Sequence, residues 1–122
     1  MNLLNVAGWT VRVAGLVVLV LGLIVWTDAY PVATPIHMLA GIVLVVGLWA
    51  VALLAARAGV STSVVAIAIG WGLLTVALGL TQDQLLPGDA HVVVEVAHLV
   101  VGLVAIGLGE AITARARRAA AA

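Results

Sequence analysis

Apolar and polar positions alternate in blocks along this chain rather than residue by residue. Residues 6–27, 36–56, 64–81 and 91–113 are runs of roughly 20 residues with almost no charge. That is the length an α-helix needs to cross a hydrocarbon layer of about 30 Å. The stretches between them, "DAYPVATP", "RAGVSTS" and "QDQLLPGDA", carry the Pro, Gly, Ser or Asp that ends or caps a helix. Thr34 followed by Pro35 reads as an N-cap with proline at the first helical position, and Gly88 with Asp89 opens the fourth segment similarly. Links this short lay sequential helices side by side. The pattern therefore predicts one all-α domain over residues 1–122, an up-down-up-down four-helix bundle.

Composition moves the bundle into a membrane. Of 122 residues, 66% are hydrophobic and 8% charged, against about 25% charged in a soluble domain. The lipid bilayer is thus the expected surroundings of a multi-pass protein. A net charge of zero argues against a nucleic-acid partner. The absence of cysteine excludes disulfides, thiolate metal sites and cysteine nucleophiles. The five basic residues, Arg12, Arg57, Arg115, Arg117 and Arg118, all fall at the end of the bundle that holds the termini, whereas Asp28, Asp83 and Asp89 fall at the other. The positive-inside rule then places both termini in the cytoplasm and the chain in the plasma membrane. Trp9 and Trp26 stand near the two ends of the first span, as interface anchors do. The stretch "IVWTDAYP" lacks a small-x-small cleavage pattern, so the first run is read as a span and not a signal peptide.

Two segments repeat one another. "PIHMLAGIVLVVGL" and "VAHLVVGLVAIGL" each place a histidine four residues before a glycine at the head of an apolar run. His37 lies near the start of the second span and His98 about seven residues into the fourth. Both fall in the outer leaflet, because both helices start there. The second and fourth helices of a four-helix bundle can lie diagonally across the core. Two inward imidazoles on that diagonal bracket a flat group, the geometry of a bis-histidine haem b with iron held by His37 and His98. Gly41 and Gly102, one turn after each histidine, leave room for a porphyrin. Zinc fits less well, since it wants three or four ligands.

The fourth span also carries His91 and Glu95 on the face of His98. A carboxylate inside a span costs at least ~2.5 kcal/mol unless paired, protonated or hydrated. Glu95 is read as a partner for a histidine ring or as a proton-carrying group. His91 competes with His98 as the partner of His37, because its depth matches better. The glycine series Gly8, Gly15, Gly22, then Gly72, Gly79, then Gly102, Gly109 recurs every seven residues and makes smooth faces for close helix contact. With no basic residue at the outer end, haem propionates would rely on Tyr30, Thr34, Gln82, Gln84, His91, backbone amides and water.

Over residues 11–111 these motifs resemble one four-helix half of the haem A synthase family. The similar features are "RVAG" in the first span, "HMLAGIVLVVGLWAVALLAARAG" in the second, "GWGLLTVALGLTQ" in the third and "HLVVGLVAIGL" in the fourth. The resemblance implies a membrane bundle whose second and fourth helices supply paired histidines to haem, here His37 and His98. Thr34 stands where the family's catalytic half has glutamate, and one half is present instead of two. The resemblance therefore implies a single-haem cytochrome or a subunit descended from such a half, not oxidation of a haem methyl group.

The sequence thus predicts electron transfer or haem holding beside a larger respiratory or photosynthetic membrane complex, or in a homo-oligomer. Catalysis by the chain alone is not expected, because no nucleophile or open metal site is evident. Two other classes compete. One is a cofactor-free structural subunit docking through its glycine faces, with Trp49 and Trp71 at helix contacts. The other is a small proton-coupled transporter using Glu95.

Overall fold

A computed structural model describes residues 2–27 and 30–122; Asp28, counted above with the acids of one end, lies outside the described residues. Among the described residues the chain is all-α, with helices α1 (Leu3–Trp26), α2 (Ala33–Arg57), α3 (Thr62–Thr81) and α4 (His91–Ala121). Each is long and apolar enough to cross a membrane. The apolar runs located these four helices, and their ends differ for local reasons. Helix α1 starts earlier, at Leu3, because the Asn2 side chain accepts a hydrogen bond from the Asn5 amide at 2.9 Å. Helix α2 starts at Ala33, with Val32 in the capping position, so Thr34 and Pro35 lie inside its first turn instead of capping it. Proline is tolerated there because first-turn amides have no intrahelical acceptor. Two short 3₁₀ turns, Gln82–Gln84 and Gly88–Ala90, carry the chain into α4, with Gly88 at a φ of +84° that suits glycine. Helix α4 continues past residue 113 to Ala121. Hydropathy stops at the arginines, but "ARARRAAA" is built from the strongest helix formers.

Helix α2 packs against α1, α3 and α4, and α4 also touches α1 and α3. Among the described residues α1 and α3 do not meet, so α2 and α4 form the short diagonal. Both termini lie at one end, where Leu3, Leu54 and Ala116 line one hollow. That half holds the core: Val11, Leu48, Val51, Ala52, Ala55, Ala105 and Ala116 are fully buried. Small residues bring the helices close. A Cβ added to Gly15 would stand 2.9 Å from Ile106, and one added to Gly109 would stand 2.6 Å from Val11. The Trp49 indole donates to the Ile69 carbonyl at 3.3 Å and Trp71 to Val101 at 2.9 Å, tying α2 to α3 and α3 to α4.

The other half is packed differently. Across residues 16–26, 33–43, 73–81 and 91–104, only Ala33, Thr75 and Val94 among the described residues are buried. The filled core stops near Leu44 and Ala105, and the histidines lie beyond it.

Arg12 and Glu110 close the termini half with a two-pronged ion pair between α1 and α4, at 2.7 Å for Nε to Oε1 and 2.7 Å for Nη2 to Oε2. The Arg12 guanidinium also lies 5.1 Å from the centre of the Trp9 ring. Each charge neutralises the other on otherwise apolar helices. Glu110→Gln should therefore lower the thermal midpoint in detergent, while the double variant Arg12→Gln/Glu110→Gln should be less harmful than either single change. Additive losses in that double-mutant cycle would mean that the two side chains do not interact.

Candidate functional site

His37 is the fifth residue of α2 and His98 the eighth of α4. The earlier start of α2 shortens the difference in depth that sequence reasoning assigned to them. Their rings meet across the short diagonal, with centroids 6.1 Å apart and planes inclined at 64°. Each ring is half-buried, and each rests on a glycine of the preceding helix. A Cβ on Gly22 would stand 3.1 Å from His37 Cε1, and one on Gly79 would stand 3.3 Å from His98 Cε1.

Hydrogen bonding separates the two rings. His37 Nδ1 lies 3.1 Å from the Val18 carbonyl oxygen. A carbonyl only accepts, so Nδ1 carries the proton and, in the neutral ring, Nε2 keeps its lone pair. This is the arrangement common to metal-ligating histidines, in which the second ring nitrogen donates to a carbonyl or carboxylate. His98 Nδ1 is buried and has no partner among the described residues. A buried polar atom without a partner costs about 1–3 kcal/mol, so the His98 ring is suited to gaining a ligand or acceptor.

The other sequence candidates divide. Gly41 and Gly102 are half-buried, and a Cβ at either would meet nothing within 4 Å. They border open space and do not pack against a helix. His91 is engaged in the loop before α4: its Nδ1 donates to the Leu85 carbonyl at 3.0 Å, fastening the link to the head of α4. The ring placed against His37 is that of His98, not His91. Glu95 is half-buried on α4, and among the described residues it makes no hydrogen bond to either imidazole. At i−3 on the same helix its carboxylate leaves the orphaned His98 Nδ1 unserved. Tyr30 and Thr34 are exposed and Gln82 half-buried at this end.

Gly22 and Gly79, read from the sequence as packing positions, are the residues that seat the histidines. Both belong to the seven-residue glycine series, and Gly8, Gly15 and Gly109 of that series do pack helix on helix. Which member faces a histidine depends on the register between neighbouring helices, and no single-helix periodicity reports that.

The donor set bears on what this site can hold. Among the described residues no cluster of three or more His, Cys, Asp or Glu side chains is placed to hold a bare metal ion. Haem iron asks for fewer protein ligands, because the porphyrin supplies four nitrogens and the protein only the axial positions. Two imidazoles trans to one metal, at metal–nitrogen bonds of about 2 Å, stand roughly 6 Å apart between ring centres. The 6.1 Å separation of His37 and His98 suits that span. An open groove of about 560 Å³ between α1 and α2, lined by Trp9, Thr10, Val17, Leu39 and Val43, contains none of these residues.

Comparisons with protein-family models, with curated proteins and with solved structures return no match.

Proposed function

We propose that this chain is a small membrane cytochrome-like protein that binds one b-type haem between His37 and His98. The observation that carries the reading is the meeting of the two rings 6.1 Å apart on the α2–α4 diagonal. The scarcity of buried side chains in that half of the bundle and the open space beside Gly41 and Gly102 support it. So does the resemblance of the same segments to one half of the haem A synthase family. The arginine asymmetry orients the termini to the cytoplasm of the plasma membrane, which puts the histidines in the outer leaflet. Bound there, haem supplies a one-electron couple, and the chain serves electron transfer or haem holding beside a larger respiratory or photosynthetic membrane complex.

The residues act by position. His37 presents Nε2 because Val18 holds its Nδ1–H. His98 presents its ring from the opposite helix. His37 and His98 would both be spent on holding haem, which would supply a one-electron couple, and this favours electron transfer over catalysis. Leu44 and Ala105 close the site toward the termini half.

Haem content of the purified protein tests the reading. One haem per chain is expected. A colourless protein that takes up no added haem would leave the structural-subunit and transporter readings, which proton-dependent uptake into vesicles separates.

Glu95 offers a further check. If Glu95 is ionised, its charge one turn from His98 stabilises ferric over ferrous iron, and Glu95→Gln should then raise the midpoint potential; a protonated or outward-turned Glu95 should give little shift. The expected rise is on the order of tens of millivolts, using an effective dielectric near ~20. An unchanged potential in redox titration would reduce Glu95 to an anchoring role.

A further inference from the structure

We propose that the two histidines sit in a repeated imidazole socket, formed by a backbone carbonyl and the glycine one turn after it on the preceding helix. Val18 and Gly22 make the socket for His37, and Thr75 and Gly79 make the one for His98. These four are positioning residues. That the sockets serve iron ligation rests on the haem reading; that they seat the imidazoles does not.

The physical basis is local to the helix. A helical carbonyl accepts the amide four residues on and still has a second lone pair. The side chain of that fourth residue leans back toward the helix N-terminus and covers the same patch of surface. Glycine at that position leaves the carbonyl open to a group from outside. On α1 the opening is used: His37 reaches the Val18 carbonyl at 3.1 Å, and its Cε1 lies 3.1 Å from where a Gly22 Cβ would stand.

Helix α3 offers the same pair of positions at the same four-residue spacing, with the glycine seat occupied and the carbonyl contact not made. His98 Cε1 lies 3.3 Å from where a Gly79 Cβ would stand. Thr75, four residues earlier, is one of the few buried residues in this half of the bundle. Its hydroxyl donates to the Trp71 carbonyl at 2.8 Å, so the side chain is tied back along its own helix. His98 Nδ1 is the ring nitrogen without a partner. A turn of His98 on its glycine seat that let Nδ1 donate to the Thr75 carbonyl would satisfy that nitrogen and leave Nε2 as the ligand atom, matching His37. The α1–α2 and α3–α4 hairpins then present equivalent imidazoles from opposite sides.

The test uses the full chain, labelled with ¹⁵N-histidine and first studied free of haem in detergent micelles. Gly22→Ala and Gly79→Ala are compared with wild type and with Gly15→Ala, a packing control whose new methyl meets Ile106 and neither histidine. Both His37 and His98 should show the Nδ1–H tautomer in wild type. Gly22→Ala should lose it for His37 alone and Gly79→Ala for His98 alone, while Gly15→Ala should lower the thermal midpoint and shift neither ring. On haem titration each socket variant should bind about 10- to 100-fold more weakly, and Gly15→Ala should bind as wild type does. An Nε2–H tautomer for His98 in wild type would overturn the proposal. So would socket variants that match wild type in tautomer and haem affinity. Should a glycine variant not fold, the wild-type tautomers decide. A wild-type protein that takes up no haem would remove the haem reading and leave the tautomers to decide the sockets alone.

Discussion

His37→Ala and His98→Ala should each abolish the low-spin, six-coordinate haem spectrum, whereas His91→Ala should leave it intact. The expectation follows from the two rings facing one another at 6.1 Å while His91 is engaged with the Leu85 carbonyl. Loss of one axial imidazole leaves a five-coordinate, high-spin centre or no haem at all, because alanine offers no donor atom. The two single variants should also fail in the same way, since neither ligand has a substitute within reach. The check is the absorption spectrum of each purified variant after haem titration, read together with haem content. If His91→Ala is the damaging change and His98→Ala is silent, the pairing is wrong and α4 must turn differently about its axis.

Leu48→Ala carries the largest expected loss of stability, and it should act without touching the histidine pair. Leu48 is fully buried in the cluster with Val11, Val51, Ala105 and Ile112. Its neighbours are fixed by alanine and glycine contacts that have little freedom to close a gap. Truncation to alanine in such a setting costs about 2–5 kcal/mol. Reversible unfolding in mixed micelles should show that loss, while the spectrum of the folded, haem-saturated fraction stays that of wild type. An unchanged unfolding midpoint would mean that the filled core of the termini half does not hold the helices together.

The four helices were legible because each is a long apolar run closed by turn residues, and neither signal depends on a neighbour. His37 and His98 were legible as candidates because an imidazole inside such a run is costly without a purpose and because the same His-x-x-x-Gly order occurs twice. Properties that depend on how one helix meets another were not legible. The seats at Gly22 and Gly79 look like any other member of the glycine series until inter-helix register is known. Gly41 and Gly102 were picked out from their own helices, and the structure places them beside open space, not against the rings. The start of α2 at Ala33 was hidden because proline fits any position of a first turn. The pairing of Arg12 with Glu110 had a weaker signal. Each was a charge left over in an apolar run at a similar distance from the termini end, and such charges need partners.

The haem reading and the fold make separate demands on the histidine half of the bundle. The fold needs only that α2 and α4 approach one another there. The haem reading needs both imidazoles on one iron, with their second ring nitrogens held by protein. Low-temperature electron paramagnetic resonance of the ferric wild-type protein tests this demand most directly. A single low-spin, bis-imidazole signal accounting for one haem per chain, with no high-spin component, is expected. A high-spin signal alone, or a protein that yields no haem signal after loading, would contradict it.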